Sequence, residues 1–352
     1  MTWTADSREV VFASSRSGAD GSLWRVSVGG GAPRPISSTL RDASEPSISQ
    51  HAPRLAYKEN WIDTNIYLLA SHGLVGNAPG RFGSPAPVVH WTREEHSPAF
   101  SPDGERLAFV SNRSGNQEIW VSRRDGTQAA QLTALRAQNT GSPRWSPDGR
   151  LIAFDSWSSG NSAIYVVASG GGVPRVLTAE PSGSWMPSWS PDGEWIYFSR
   201  GLYVMREIWK IPTAGGVATQ LTHTGAFEAV PSSDGKLIYF TKQVHGPECV
   251  IWSVPAAGGP EKLVPELRTF NRISRGWGVT QHGIYFMSYE DAPQQTVRLL
   301  NFKTHRITQL FKLEKQVQWG VPSLALSREG RYVLAVQLDH AVDDFMMIEN
   351  FR

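Results

Sequence analysis

The sequence predicts an all-β protein, a β-propeller built from four-stranded antiparallel blades. Three observations support this prediction. An aromatic-Ser-Pro-Asp-Gly phrase recurs along the chain, an apolar triplet follows each clear copy, and the clear copies lie about 45 residues apart. These copies centre on Asp103, Asp148 and Asp192. A period of this length is typical of a blade made of four short strands.

Each copy contains four short apolar segments separated by turn residues. The Pro-Asp-Gly step suits a hairpin connection, because proline restricts φ and glycine accepts a positive φ. The triplet Leu107-Ala108-Phe109 follows the first turn, and the pair Ile119-Trp120 begins the third strand. A Gly-rich turn and the segment Gln131-Leu132-Thr133 complete the copy. No stretch has a sustained 3.6-residue apolar period, so we expect almost no helix.

Weaker copies extend the repeat in both directions and bring the count to eight. We therefore expect a single propeller domain over residues 1–352 with eight blades, and seven blades is the alternative because the last two copies have diverged. The last copy stops after its third strand, which predicts an incomplete last blade or a chain that is the C-terminal part of a longer protein. We favour the second interpretation. The eight anchors lie near Asp6, His51, Asp103, Asp148, Asp192, Asp234, His282 and Glu329.

Composition excludes several classes of partner. The 34 Lys and Arg residues nearly balance the 32 Asp and Glu residues, so this domain is not expected to contact nucleic acid. No apolar run approaches the roughly 20 residues that span a bilayer, and no signal-peptide pattern follows Met1. Membrane insertion is therefore not predicted. The compartment stays open, cytoplasmic as the chain is written and periplasmic for a longer parent protein.

Motifs for catalysis, metals and cofactors are not found. The chain lacks the Gly-x-Ser-x-Gly pentapeptide of serine hydrolases, and its Gly triplets lack the Lys-Ser/Thr of a phosphate-binding loop. Its nine histidines are scattered, its one cysteine is Cys249, and the repeated aspartates are better interpreted as turn formers than as calcium ligands. The sequence thus predicts no enzyme, no metal and no cofactor.

The repeated pattern, Pro-x-Trp-Ser-Pro-Asp-Gly followed by the triplet, Ser-x-Arg-x-Gly, Ile-Trp and Leu-Thr, resembles the TolB-type propeller repeat, which is related to WD repeats. The resemblance covers nearly the whole chain and is strongest from Pro98 to Phe240. Such propellers occur in TolB, in prolyl oligopeptidase-like peptidases and behind the winged-helix domains of bacterial regulators. The ending from Asp343 to Phe351 is similar to the regulators. TolB itself, with six blades and an N-terminal α/β domain, is similar only in part.

The candidate site lies where the copies differ. Function in a propeller usually lies on the axial face where each outermost strand returns to the next innermost strand, which here precedes each Pro-x-Trp-Ser phrase. Aromatic and arginine side chains are favoured in binding hot spots, so a protein or peptide partner is predicted, with a small ligand as the alternative. The predicted channel-mouth residues are Glu45, Glu95, His96, Ser142, Trp185, Met186, Glu228, Arg275, Trp277 and Trp319.

Two functions are compatible with this sequence. The first is a non-catalytic interaction module, which could form the sensory half of a regulator. The alternative is the substrate-gating propeller of a prolyl oligopeptidase-like peptidase that lacks its catalytic domain. The first is favoured because the 352 residues contain no nucleophile motif and no α/β segment to hold one. The sequence does not predict the oligomeric state.

Overall fold

The computed structural model describes residues 1–14, 21–36, 42–75, 78–91, 93–158, 160–178, 181–201, 205–245, 248–267, 270–271, 276–288, 295–317 and 322–351. Within these ranges the chain forms antiparallel sheets of short strands, and the one helical element is the 3₁₀ turn Pro265–Leu267. The predicted propeller of four-stranded antiparallel blades is confirmed.

The N-terminal strands form a sheet outside the main ring and begin a second one. The first sheet, here the first arm sheet, contains four strands in chain order. The next strands contribute to two different sheets, because one of them is 22 residues long. The bounds are β1 (Thr2–Trp3), β2 (Glu9–Ser14), β3 (Ser22–Ser27), β4 (Arg34–Pro35), β5 (Asp42–Ile48), β6 (Arg54–Val75), β7 (Ala78–Phe82) and β8 (Ala86–Val89).

Five consecutive blades follow, numbered I to V. Each has four strands in chain order, and β25 adds a fifth to blade IV. Blade I contains β9 (Glu95–Phe100), β10 (Arg106–Ser111), β11 (Glu118–Arg123) and β12 (Ala130–Gln131), and blade II contains β13 (Thr140–Trp145), β14 (Leu151–Ser156), β15 (Ala163–Ala168) and β16 (Arg175–Val176). Blade III contains β17 (Ser184–Trp189), β18 (Trp195–Arg200), β19 (Glu207–Pro212) and β20 (Thr219–Gln220), and blade IV contains β21 (Phe227–Pro231), β22 (Leu237–His245), β23 (Glu248–Pro255), β24 (Lys262–Leu263) and β25 (Phe270–Asn271). Blade V contains β26 (Trp277–Thr280), β27 (Gly283–Ser288), β28 (Thr296–Asn301) and β29 (Ile307–Lys312).

A long two-stranded ribbon connects the ring to the arm. It consists of β6 and the last strand β31 (Tyr332–Glu349), which pair antiparallel from Tyr332 opposite Ala70 to Glu349 opposite Arg54. At one end, β30 (Leu324–Leu326) and β8 flank the ribbon to give a four-stranded sheet, blade VI. At the other end, β5 flanks it to give the three-stranded second arm sheet.

Six blades, not eight or seven, close the ring. The innermost strands contact one another in succession, from β9 through β13, β17, β21 and β26 to β30, and β30 contacts β9. The expectation that the last copy forms an incomplete blade is also wrong. Blade VI has four strands because β6 and β8 from the N-terminal part complete it. The sheet with three strands is the second arm sheet.

The physical reason is an exchange of strands between the second and eighth repeat copies. In a regular blade, Phe109 of the second strand lies opposite Trp120 of the third. In the ribbon, the corresponding pairs join Ala335 to Tyr67 and Tyr57 to Met346, so each copy supplies strands to both sheets. Each of these two copies therefore runs straight across the point where the other copies turn back as a hairpin.

Polar contacts stabilise the ribbon at the point where it passes from blade VI to the second arm sheet. The ladder shifts register at Asp339, whose carboxylate accepts hydrogen bonds from Asn65 Nδ2 at 2.7 Å and Tyr67 Oη at 2.9 Å. Lys315 Nζ lies 2.6 Å from the same carboxylate, and this contact raises the pKa of Lys315 while lowering that of Asp339 against the opposing effect of burial. The three donors around this one carboxylate fix the position of the register shift between the two strands.

The Pro-Asp-Gly turns have the local chemistry that the sequence predicts. Asp103 accepts from Ser101 Oγ at 2.5 Å and from the Glu105 backbone N–H at 3.0 Å. The Ser101 hydroxyl is the main cause that lowers the pKa of this aspartate. Gly104 follows with a φ of 72°, a conformation that favours glycine. Asp148 and Asp234 make the same two contacts, so these aspartates act as turn formers.

Candidate functional site

A channel runs along the ring axis between the six innermost strands. All six ring blades contribute to its lining, which includes Pro98, Arg144, Ser188, Val230, Trp277 and Leu324. This cavity has a volume of 340 Å³ and lies in the half of the channel next to the Pro-Asp-Gly turns, where Pro147 and Arg328 also line it. The Pro-Asp-Gly turns surround one end, near Pro102 and Arg328. The starts of the innermost strands surround the other end, which is here called the channel mouth.

Each of the first four ring blades has a bulge at the channel mouth. The innermost strand shifts register there, and one non-glycine residue in the shifted segment adopts a left-handed φ between 51° and 62°. A left-handed conformation is costly for such residues and is kept where the surroundings impose it. Bulges are also common beside functional sites. The four residues are Ser97, Ser142, Met186 and Glu228.

The neighbouring blade holds three of these bulges in place. The Met186 N–H donates to Asp155 Oδ1 at 3.0 Å, and the Glu228 N–H donates to Ser199 Oγ at 3.1 Å. The Ser97 N–H donates to the carbonyl of Pro322 in the segment before β30. Because each bond crosses to the preceding blade, the channel mouth is a rigid rim and not a set of independent loops.

Glu95 is a buried carboxyl beside this rim. It accepts hydrogen bonds from Ser111 Oγ at 2.8 Å and from the Trp91 backbone N–H at 3.3 Å. Burial raises its pKa to about 7, against the opposing effects of these bonds and of Arg113. Asp63 of the ribbon adds to the rise. Near neutral pH, Glu95 therefore exchanges a proton with little change in free energy.

An arginine between two tryptophans flanks Glu95. The Arg113 guanidinium carbon lies 3.4 Å from the ring centroid of Trp91 and 3.9 Å from that of Trp120. Its Nε donates to Ser111 Oγ at 3.2 Å. Trp91 is partly exposed, so this sandwich presents a flat aromatic surface close to the buried carboxyl.

His96 is buried in the same strand. Its Nδ1 lies 2.8 Å from Ser97 Oγ, and its Nε2 has no hydrogen-bond partner among the described residues. Burial lowers its pKa to about 4, so the imidazole is neutral at physiological pH. Ser97 is fully buried as well. This Ser–His contact has no exposed hydroxyl with which to attack a substrate.

Glu228 and Trp277 form a buried pair between blades IV and V. The Trp277 indole N–H donates to Glu228 Oε2 at 3.0 Å. Trp277 is only 2% exposed and packs with Phe227, Leu267 and Phe286 in one apolar cluster. The expected exposed aromatic at position 277 is therefore a core residue that supports the rim from below.

The remaining predicted site residues lie in different environments. Trp185 is half-buried, and the Arg206 guanidinium carbon lies 4.6 Å from its ring centroid. Ser142 is buried, and Met186 is half-buried in its bulge. Glu45 has the same left-handed bulge, but it is exposed on β5 of the second arm sheet and lies outside the channel mouth, because β5 is the innermost strand of that sheet and not of a ring blade. Arg275 and Trp319 lie outside the described residues.

Sequence reasoning missed several residues at this rim. Trp91 and Trp120 form the aromatic sandwich, and Asp155 is the acceptor that fixes the Met186 bulge. Arg113 belongs to the Ser-x-Arg-x-Gly loop of the repeat, which the sequence presents only as a polar connection. A recurring cation was the available signal, since Arg200 and Lys242 lie over Trp209 and Trp252 in blades III and IV.

In the ranges that the structure describes, no group of three or more His, Cys, Asp or Glu side chains is placed to hold a metal ion. Across those same ranges, no helix reaches the length and apolarity of a bilayer crossing. At the rim itself, the structure places partly exposed aromatic surface and buried carboxyls.

The pH dependence of stability tests the two buried titratable groups. The pKa of Glu95 rises from 4.5 to about 7, so the folded state binds the extra proton and stability falls as pH rises through this window. The pKa of His96 falls from 6.5 to about 4, so its contribution rises over nearly the same range. The two trends oppose each other, and each amounts to about 3 kcal/mol. We expect wild-type stability to change little between pH 4.5 and 6.5.

Single substitutions should reveal each trend separately. In Glu95→Gln, the free energy of unfolding should increase from pH 4.5 to 6.5, because only the His96 contribution remains. In His96→Gln it should decrease over the same interval. Urea denaturation at half-unit pH steps measures both. Glu105→Gln, an exposed site in blade I, is the control and should keep the wild-type profile. Parallel profiles for all four proteins would contradict the assignment.

Comparison with known proteins now gives the family. The model of the TolB β-propeller domain matches residues 83–267, which is more than half of the chain. A comparison with curated protein sequences gives no match. Among solved structures, the protein assigned as TolB from Agrobacterium tumefaciens has a TM-score of 0.62 and 22% identity, over 79% of this chain and 99% of that one.

Two further structures have the same fold at lower identity. TolB from Acinetobacter baumannii matches with a TM-score of 0.53 and 14% identity, over 97% of this chain and 84% of that one. A chain of the nidogen/laminin complex matches with a TM-score of 0.54 and 12% identity, over 79% of this chain and 99% of that one. At these identities the likeness concerns the fold. From the family match and the repeat that carries it, the chain belongs to the TolB β-propeller family.

Proposed function

We propose that the ring is a non-catalytic binding module that holds a protein or peptide segment at the channel mouth. The observation that supports this most directly is the set of four left-handed bulges, three of which are bonded across blade junctions. They hold the starts of the innermost strands in one conformation around one opening. A pre-organised rim of this kind reduces the ordering cost of binding.

The side chains around the opening suit an extended peptide. Trp91 and Trp185 provide partly exposed aromatic surface, and Arg144 adds a positive charge inside the channel. Aromatic and arginine side chains contribute most of the energy in typical protein interfaces. The cavity farther along the channel has a volume of 340 Å³, at the lower end of the usual range for ligand pockets, so it has room for one or two side chains of a segment that reaches it from the rim.

The same geometry argues against hydrolysis at this site. Ser97, the hydroxyl next to His96, is buried, and Glu95 and Glu228 are buried within hydrogen-bond networks. A nucleophile must reach its substrate, and a general base must lie within hydrogen-bond reach of the proton it removes. We infer that these groups stabilise the rim and that recognition depends on the partly exposed side chains around it.

A selection with random peptides displayed on phage tests this proposal. The chain is immobilised, enriched peptides are synthesised, and their affinities are measured by calorimetry. Arg144→Ala should weaken binding at least tenfold, because it removes the charge inside the channel. Arg150→Ala is the matched control, since this exposed arginine of the same blade is not among the residues that line the cavity and should leave the affinity within about twofold. Enrichment of no peptide, or equal losses in both variants, would contradict binding at the channel mouth.

A further inference from the structure

The two arm sheets pack against each other as neighbouring blades do. Val11 and Leu23 of the first arm sheet form one buried cluster with Ala43, Leu55 and Tyr57 of the second. Strands β2 and β3 contact β5, the innermost strand of the second arm sheet. The arm is therefore a pair of consecutive blades outside the ring, with one sheet face left at each end.

The ring shows what normally covers such faces. At the junction of blades VI and I, Ile66 and Val336 pack against Phe100, Leu107 and Phe109 in one buried cluster. Every ring blade has a neighbour on both sides, because the ring is closed. A blade of this repeat therefore has two apolar faces of different shape, one toward the preceding blade and one toward the following blade.

At the first end of the arm, the residues that would face a preceding blade are partly or largely exposed. Strand register shows the equivalence: Trp3 lies opposite Val10 as Phe100 lies opposite Leu107. In blade I, Phe100 and Leu107 are buried, whereas Trp3 is 51% exposed and Val10 is half-buried. Within the described residues, this end face has the side chains of a blade junction, and they stay partly or largely exposed.

At the other end, the residues that would face a following blade are also exposed. Tyr57 lies opposite Met346 as Phe109 lies opposite Trp120, so Phe345 and Met347 take the places of Ile119 and Val121. Ile119 and Val121 are buried against blade II. Phe345 is 85% exposed and Met347 is 58% exposed. Large apolar side chains at such exposure mark a binding surface.

We propose that the arms of separate copies of this chain dock head to tail, with the Trp3 face of one copy on the Phe345 face of the next. The two faces are the two halves of the blade junction already present in the ring, so each is complementary to the other and not to itself. The contact is therefore heterologous, and contacts of this kind form closed rings or open filaments.

The strand order leaves room for this assembly and predicts its size. In the order β30-β31-β6-β5, the innermost strands of blade VI and of the second arm sheet lie on opposite sides of the ribbon. The axis of the ring and the axis around which the arm blades turn are therefore on opposite sides, and the ring points away from the docked arms. The ring of this chain closes with six blades. If arm blades turn by the same angle, three copies with two blades each close a second propeller.

Sedimentation velocity over a concentration series tests the proposal with the full 352-residue chain. Wild type should shift from one copy to three as concentration rises. Trp3→Asp and Phe345→Asp each destroy one face, so each variant alone should stay monomeric. An equimolar mixture of the two variants retains one intact pair of faces and should form a one-to-one complex. Val217→Asp, an exposed apolar site on a ring turn, is the matched control and should assemble as wild type does.

The outcomes separate this docking from other arrangements. A wild-type chain that remains monomeric at every concentration overturns the proposal. A dimer that survives both substitutions, or a mixture of the two variants that does not associate, shows a contact elsewhere and also overturns it. Near-ultraviolet circular dichroism of each variant verifies that the arm substitutions leave the fold intact, because a loss of assembly counts only in a folded protein.

Discussion

Trp145→Ala should lower the free energy of unfolding by about 3–5 kcal/mol, the usual cost of truncating a buried tryptophan. Trp145 lies between blades I and II, where it packs with Ala99, Ala108 and Ile152. Its indole N–H also donates to the Ala99 carbonyl at 3.3 Å, which binds one innermost strand to the next. The substitution thus removes both the packing and the hydrogen bond at one junction. Urea denaturation followed by tryptophan fluorescence measures the loss.

Trp157→Ala provides the matched control for this experiment. Trp157 directly follows β14 in blade II and is 41% exposed, so its truncation should change the free energy of unfolding by only about 1 kcal/mol. Equal losses in the two variants would show that Trp145 does not hold the junction. Trp145→Phe should fall between them, because it keeps an aromatic ring but removes the indole N–H.

Trp277→Ala should cause a loss of similar size, about 3–5 kcal/mol, at the junction of blades IV and V. Its ring fills the cluster with Phe227 and Phe286, and its N–H donates to the buried Glu228 carboxylate. Trp277→Phe retains most of the packing and should cost about 1–3 kcal/mol, the range for a lost buried hydrogen bond. Thermal unfolding of the three proteins measures the order wild type, Phe variant, Ala variant.

The control at the same rim is Trp185→Ala. Trp185 is half-buried, and the Arg206 guanidinium stacks on its ring. Truncation of Trp185 should therefore lower the free energy of unfolding by only about 1 kcal/mol. The sequence suggests equivalent roles for these two tryptophans, since both precede an innermost strand or lie at its start. A Trp277→Ala variant as stable as Trp185→Ala would contradict the packing between blades IV and V.

The repeat predicts the blade, because every blade is determined by local chemistry. Ser101, Asp103 and Gly104 make the first turn, and the triplets that follow pair in the expected register. The number of blades in the ring could not be predicted in this way. The interval from Phe109 to Trp120 is close to the intervals from Tyr57 to Tyr67 and from Ala335 to Met346. A hairpin and an exchanged pair of straight strands therefore have the same spacing.

The sequence indicates where the candidate residues lie along the strands, but it does not indicate how deeply their side chains are buried. In blades I to III, the residues before the Pro-x-Trp-Ser phrase lie at the starts of the innermost strands, as Glu95, Ser142 and Met186 show. Their burial depends on neighbouring blades, and no local pattern distinguishes buried Trp277 from half-buried Trp185. The bulges could not be predicted from the sequence for a different reason. A left-handed φ at Ser97 or Glu228 goes against residue preference, so only tertiary contacts select it.

The ribbon has a consequence for how the chain folds during synthesis. Ile66 is translated long before its pairing partner Val336, which lies far downstream in the sequence. Contacts between such distant residues bear the full entropy of loop closure and slow the folding rate. Until β31 has been translated, β6 remains an open strand that can pair with other nascent chains. Production of this protein should therefore depend more on chaperone supply than production of a propeller closed by sequential blades.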